Sequence, residues 1–337
     1  SVLRFLNITV DQFRWGSSTD HLTTNPVVVL AGPTDESPYK FHPKTWLKGS
    51  AELGLPPIPY HVDSDTRRQL ATHPNQSVLF VFGAGESPRW QRVAYVTPPM
   101  REVVDAIISE QSGWAADRND PLRFAFFAER HNDKNLTIRS LAMTEILQSR
   151  YGLMRTLEPQ LSQTEIEDAL SDPMLVNYAP LYIAMLGLIE DADAAALVRS
   201  MVVRGQRLSL GPRLAPWAVA LIETEGSMGV RRVAQIALGV VPSNLETRLA
   251  ALNALALHGS EGRTELRADI ASILHQIAEH DPALAVYAIS PLAQWQDWRA
   301  QDVVRAYLQG SHPVSMQERI AFTGYLAAAE RAENASD

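Results

Sequence analysis

Five short stretches of the 337-residue chain hold residues whose types and spacing could do chemistry. In His61-Val62-Asp63-Ser64-Asp65, an extended backbone puts an imidazole and two carboxylates on one face. That is a hard-ligand set suited to a divalent metal and, through it, to a metal-assisted hydrolase, with His42 and His73 as further donors. His258-Gly259-Ser260-Glu261 gathers an imidazole, a hydroxyl and a carboxylate. It lacks the G-x-S-x-G elbow and follows helical texture, so it reads as a helix end with Gly259 as its cap. Gly83-Ala84-Gly85-Glu86-Ser87 follows an apolar run, as a phosphate loop would. Such a loop needs a helix N-terminus next; Arg92–Val96 reads as a strand, and a hairpin is expected instead. Lys40, Lys44 and Lys48 alternate with His42 and Trp46 on one strand face, a basic and aromatic surface of the kind that binds anionic polymers. Trp295 and Trp298, three apart, share one side of a helix and serve either as interface anchors or as packing between helices. None of these groups is assigned a catalytic role, and no metal or cofactor is required.

Composition narrows the classes. Hydrophobic residues make up 46% and charged residues 20%, which fits a folded protein with a sizeable core and excludes a wholly disordered chain, a collagen or a multispanning membrane protein. There is no cysteine, so disulfides, zinc thiolates, iron–sulfur clusters and thiol nucleophiles are excluded together. Net charge is −8; residues 1–118 carry 11 basic and 12 acidic side chains, and residues 119–337 carry 19 and 26. A dominant nucleic-acid footprint is therefore not expected. The 26 arginines against 4 lysines read as background spread along the chain. The longest uncharged run, Pro173–Ile189, is short for a membrane span and contains Asn177 and Pro180; it reads as a buried helix. The first residue is Ser1 and not Met, so an upstream segment is expected, a signal peptide being one reading.

The elements that must position these groups change texture near residue 98. Val27–Leu30, Tyr39–Leu47, Val78–Phe82 and Arg92–Val96 read as short strands, the last two as a hairpin. Ser1–Trp15 leans toward strand, and the proline-rich Leu53–Pro59 toward a connector. Several close strands predict a small antiparallel barrel or sandwich. Thr97 then caps a helix that opens on Pro98-Pro99. Beyond it, Asp-Pro pairs at 120, 172 and 281 and capping boxes at Ser162/Glu165, Ser243/Glu246 and Ser315/Glu318 predict an all-helical remainder, frayed from Arg331. The pattern Arg139-x-x-Ala142-x-x-x-Ile146 recurs at Arg231, Arg248 and, with Phe322, at Arg319. It suggests helix pairs stacked as a solenoid, without a fixed period.

The order VVVLAG, KFHPKTWLKGS, SVLFVFG, RVAYVTP and a helix, with Trp46-Leu47-Lys48-Gly49 closing a strand, resembles the OB-type barrel of netrin/TIMP-like modules. The zinc-chelating cysteine of TIMP inhibitors has no counterpart here. Together with RFAFFAERHNDKN, APLYIAMLGLIEDADAAALV and SPLAQWQDWRAQDVV, the arrangement is similar to secreted bacterial proteins that join such a barrel to HEAT-like helices. The expectation is an α+β protein of two domains, a β-barrel domain with a closing helix over 1–118 and a HEAT-like solenoid over 119–337. The expected role is non-enzymatic, a scaffold that binds another protein, with an extracytoplasmic address implied by the resemblance. The alternatives are the hydrolase at 61–65 and an oligonucleotide- or glycan-binding OB module.

Overall fold

The computed structural model describes residues 18–83, 87–310 and 313–335. The reading of Ser1–Trp15 as a strand falls outside them, as do Ala84–Glu86, His312 and the last two residues. The chain divides into two compact units, at 149/150 and not at 118/119.

The first unit is built on four strands, β1 (Val27–Gly32), β2 (His42–Lys48), β3 (Ser77–Phe82) and β4 (Trp90–Val96), in the order β2-β1-β3-β4 with every neighbour antiparallel. The predicted hairpin is β3–β4, where the Gly83 N–H donates to the Arg89 carbonyl at 3.3 Å. Among the described residues the sheet is open, with β2 and β4 as its edges, and the expected barrel does not close. The reason lies in what covers it. Every residue of β1 is buried, so both of its faces are packed. On one face, Val28, Leu30, Leu79 and Val81 meet Leu22 of α1 (Ser18–Thr24) and Val103, Val104 and Ile107 of α3 (Pro98–Ser109). Trp114 of α4 (Gln111–Ala116), Phe127 of α5 (Pro121–Ala128) and Ile138, Leu141 and Ala142 of α6 (Leu136–Gln148) complete that layer. On the other face, Val29, Ala31 and Phe80 meet Phe41, Ile58, Val62 and Leu70, the last from α2 (Ser64–Thr72). A sheet sandwiched in this way buries its apolar surface without curling on itself. The same packing places the unit boundary at 149, because α5 and α6 bring Phe127, Ile138, Leu141 and Ala142 to one face.

Charge also binds this unit together. The Arg123 side chain is 2% exposed, and its guanidinium donates to Glu145 at 2.9 Å, to the Trp114 carbonyl at 2.8 Å and to Asp20 at 3.1 Å. Asp20 also accepts from Arg118, which reaches Gln148 as well.

The second unit is helical among the described residues: α7 (Tyr151–Met154), α8 (Gln163–Ser171), α9 (Ala179–Leu188), α10 (Ala192–Arg207), α11 (Leu214–Glu225), α12 (Ser227–Ala237), α13 (Leu245–Ser260), α14 (Arg267–His280), α15 (Ala285–Gln294), α16 (Gln301–Gln309) and α17 (Met316–Asn334). The packing is repeat-like. Helices α9, α11, α13, α15 and α17 each pack on the next in one row, while α10, α12, α14 and α16 pack beside them. Burial follows this arrangement. Helix α11 is buried from Leu214 through Ile222, whereas α10 buries only the stripe Ala194, Val198, Val202 and Gly205.

The start signals act largely as expected. Both capping boxes at Ser162 and Ser315 form with both partners in place. The one at Ser243 does not: Asn244 caps α13, its side chain accepting from the Thr247 N–H at 2.9 Å. The run at 173–189 divides into a 3₁₀ turn (Pro173–Tyr178) without a buried residue and the buried α9. No described helix is long and apolar enough to cross a membrane.

Close approach of α11 and α12 depends on Gly229, where an added Cβ would lie 2.5 Å from the Leu221 carbonyl oxygen. That neighbour is backbone and yields only if the helices separate. Gly229→Ala is expected to lower stability by about 1–3 kcal/mol in urea unfolding. A variant as stable as the parent would mean that the two helices can slide apart freely.

Candidate functional site

The stretch at 61–65 is not extended. Asp63 is the N-cap of α2: its carboxylate accepts from the Thr66 backbone N–H at 2.8 Å and the Thr66 hydroxyl at 2.7 Å. Those two bonds hold the Asp63 carboxyl below the usual carboxylate range. Asp65 pairs with Arg68 one turn on, and His61 bridges to Lys40 through backbone. Among the described residues, no three histidine or carboxylate side chains are grouped to hold a metal ion.

On β2 the face of alternating cations is broken by register shifts opposite Val28/Val29 and Leu30/Ala31. Trp46 packs with Val29 and Ala31, while Leu47 packs on the opposite layer with Val28. The Lys48 ammonium donates to the Leu22 and Thr23 carbonyls at 2.7 and 3.3 Å, neutralising the C-terminal end of α1. Partial burial lowers its pKa. Lys40 and Lys44 stay exposed, and His42 is half-buried.

In the helical unit, His258 lies in a buried polar network. Its Nε2 is 2.9 Å from the Val219 carbonyl, and its Nδ1 accepts from the Arg263 N–H at 3.2 Å, so both ring nitrogens are engaged. Glu223 accepts from the Tyr151 hydroxyl at 2.8 Å and from Arg155 through two nitrogens. Burial, then the Glu223 charge, pushes the Tyr151 hydroxyl pKa well up. Ser260 accepts from the Trp295 indole N–H at 3.0 Å, and Glu261 accepts from the Tyr151 backbone N–H at 2.9 Å. The three side chains thus serve three different bonds, and the expected cap is displaced: α13 runs on through Gly259 to Ser260 and Glu261 is its C-cap, because Gly259 is needed inside the helix where Trp295 lies against it.

Burial holds His258 at a pKa of about 4, below its unfolded value near 6.5. A depressed histidine pKa means that the unfolded chain takes up the proton first. Stability is full above pH 6.5 and is lost as pH falls from there to about 4, by about 3 kcal/mol for this group. A urea-midpoint series across that window checks it, with His258→Asn expected to flatten that part of the slope. A parent protein with unchanged stability from pH 7 to pH 4.5 would contradict it.

Trp295 lies against Gly259, and the Trp298 ring meets Tyr325 edge-on at 5.2 Å. Both indoles are half-buried, and they do not share a helix side: α15 ends at Gln294, Trp295 is its C-cap, and Gln296 at φ 58° turns the chain before Trp298.

A different segment of the helical unit is rich in exposed cations. Between Arg199 and Arg232 the sequence holds six arginines and two glutamates, inside a half of the chain that is strongly acidic overall. The two glutamates are both engaged. Glu223 belongs to the buried network, and Glu225, at the end of α11, takes Arg199 of α10 at 2.5 Å and Arg232 of α12 at 2.9 Å. Arg204, Arg207 and Arg213 are exposed and form no ion pair among the described residues. Exposed apolar side chains occur in the same segment: Val203 and Arg207 are one turn apart on α10, Leu208 follows it, and near the start of α12 Met228 lies 3.9 Å from Arg231. Val203, Leu208 and Met228 are 50%, 60% and 49% exposed.

No protein-family model, curated protein or solved structure matches the chain.

The function therefore has to be read from the surface itself. Exposed guanidinium groups can meet carboxylates in a planar, two-bond geometry, and the exposed Met228 and aliphatic side chains of the same segment leave apolar surface in water. The signal in the sequence is local: six arginines against two glutamates over residues 199–232, hidden within the arginine spread along the whole chain.

Proposed function

We propose that this protein is a non-enzymatic binding scaffold whose helical unit, a HEAT-like array, takes an acidic, apolar-interleaved protein segment on the outer face of α10 and α12. The observation that carries this reading is the charge arrangement around Glu225. One carboxylate fixes Arg199 and Arg232 side by side, while Arg204, Arg207 and Arg213 are left exposed without partners. A pair held in place in the free protein loses less freedom on binding. Stacked helices offer an extended surface that suits a linear segment. Val203, Leu208 and Met228 favour a peptide with apolar side chains over a nucleic acid, whose phosphate backbone offers them nothing to cover.

Fluorescence anisotropy with three labelled probes of equal charge tests the class: an acidic peptide with leucine and phenylalanine interleaved, the same peptide with those positions changed to serine, and a single-stranded oligonucleotide. The first is expected to bind at least tenfold more tightly than the other two. Equal or tighter binding of the oligonucleotide, or no binding of the first peptide, would overturn the proposal.

A further inference from the structure

The sheet unit holds a separate feature. Where β2, the turn before β3 and the start of α3 converge, a shallow cavity of about 170 Å³ opens to solvent. Two cations line it, Lys44 and Arg101, together with the neutral polar side chains of Thr45, Asn75, Gln76 and Ser77. No carboxylate lines it. In a chain with more acidic than basic residues, such a lining is selective for one sign of charge.

Each donor is positioned by its element. A turn closed by the Gln76 N–H on the His73 carbonyl at 3.0 Å, with Pro74 setting its backbone, holds Asn75 at the mouth. The Gln76 side-chain oxygen accepts from the Tyr95 hydroxyl at 2.6 Å, which leaves its NH₂ to donate. Lys44 lies over Gly32, where an added Cβ would come within 2.9 Å of its ammonium nitrogen, and it has no hydrogen bond or ion pair among the described residues. Arg101 is held by Asp105 through its Nε at 2.8 and 2.9 Å, which leaves its two terminal nitrogens uncommitted to that carboxylate. The helix contributes no free donor of its own at this end. Its first two residues are Pro98 and Pro99, and the Met100 N–H is taken by Thr97. Recognition therefore falls to side chains.

We propose that this cavity binds the phosphate group of a small phosphate monoester. Lys44 brings an unpaired positive charge and Arg101, its charge shared with Asp105, brings two further N–H-bearing nitrogens, a set that the dianionic charge and three terminal oxygens of a phosphate use more fully than the two oxygens of a carboxylate. The neutral donors suit the same three phosphate oxygens. The cavity is smaller than the roughly 300–1,000 Å³ of drug-sized sites, and its apolar wall of Leu30 and Val96 leaves room for a short organic substituent only. This site is independent of the α10–α12 surface, and its test involves no peptide.

Isothermal titration of the full chain tests the proposal with inorganic phosphate, O-phosphoserine and acetate, each at the same ionic strength set with sodium chloride. Phosphate and O-phosphoserine are expected to bind and acetate not to. Lys44→Ala is expected to weaken both by about tenfold or more, the effect of losing one charged hydrogen bond. Lys44→Glu is expected to abolish binding, and Lys40→Ala, outside the cavity, to leave it unchanged. Circular dichroism confirms that the exposed substitutions leave the fold intact. The proposal is overturned if acetate binds as well as phosphate, if phosphate gives no heat beyond the chloride control, or if Lys44→Ala binds like the parent.

Discussion

Arg123→Ala is expected to remove about 3–5 kcal/mol from the stability of the sheet unit. The substitution deletes the only cation that reaches Glu145 among the described residues, at 2.7 Å, and leaves that carboxylate 4% exposed with no compensating charge. It also frees the Trp114 carbonyl and one bond to Asp20. Restoring water to Glu145 requires opening the layer of α4, α5 and α6 over the sheet, so the loss falls on the whole unit and not on one helix. With a total stability of about 5–15 kcal/mol for a typical domain, the unit becomes marginal. Urea unfolding of the full chain, followed by the fluorescence of Trp114, should show its transition moved down by about 1 M or more, given slopes of about 1–3 kcal/mol per molar urea. The double substitution Arg123→Met with Glu145→Met should recover much of the loss, because it removes both charges together. If Arg123→Ala lies within 1 kcal/mol of the parent, the pair is not the clamp described here.

The largest expected effect on binding comes from reversing Arg204 and Arg207 together. Both are exposed, so their substitution by glutamate leaves the packed stripe of α10 untouched. In complex with an acidic segment each reversal turns an attraction into a repulsion, and coupling between close charges across an interface reaches several kcal/mol. A loss of at least about 100-fold is expected, corresponding to about 2.7 kcal/mol at 1.4 kcal/mol per tenfold. The parent's affinity should also fall steeply between 50 and 500 mM salt as screening shortens below about 10 Å, while the doubly reversed protein shows little dependence. Reversing Asp269 on α14 to lysine, on an exposed position outside the surface, should leave affinity nearly unchanged. Parental affinity in the Arg204/Arg207 variant would remove the surface from consideration.

How much of this was legible in the sequence depends on the range of the interaction. The caps at Thr97, Asp120, Ser162 and Ser315 were readable because each is settled within four residues. Asp63 obeys the same rule, yet the pattern His-x-Asp-x-Asp drew attention to ligands and hid the start of α2. Whether a sheet closes was not readable. The strand pattern of β1 and β3 suits a barrel and a covered open sheet equally, and the difference is made by Phe127 and Ile138, far along the chain. Of Lys40, Lys44 and Lys48, only the Lys48 side chain is tied to backbone carbonyls among the described residues, at the end of α1, and the two bulges in β2 that interrupt its alternation leave little mark in residue type. The buried network around His258 was not legible, since proximity in sequence says nothing about which carbonyl or N–H each ring nitrogen meets.

The central claim is that recognition takes place on α10 and α12. Methyl-labelled methionine provides a direct reporter, because Met228 lies on that surface while the exposed Met174 and Met316 lie elsewhere in the same unit. NMR spectra of the eight methionine methyl groups, recorded as the acidic, apolar-interleaved peptide is added, should show Met228 shifting with saturation and Met174 and Met316 unmoved. Saturable binding that shifts Met174 or Met316 and leaves Met228 in place would contradict the account.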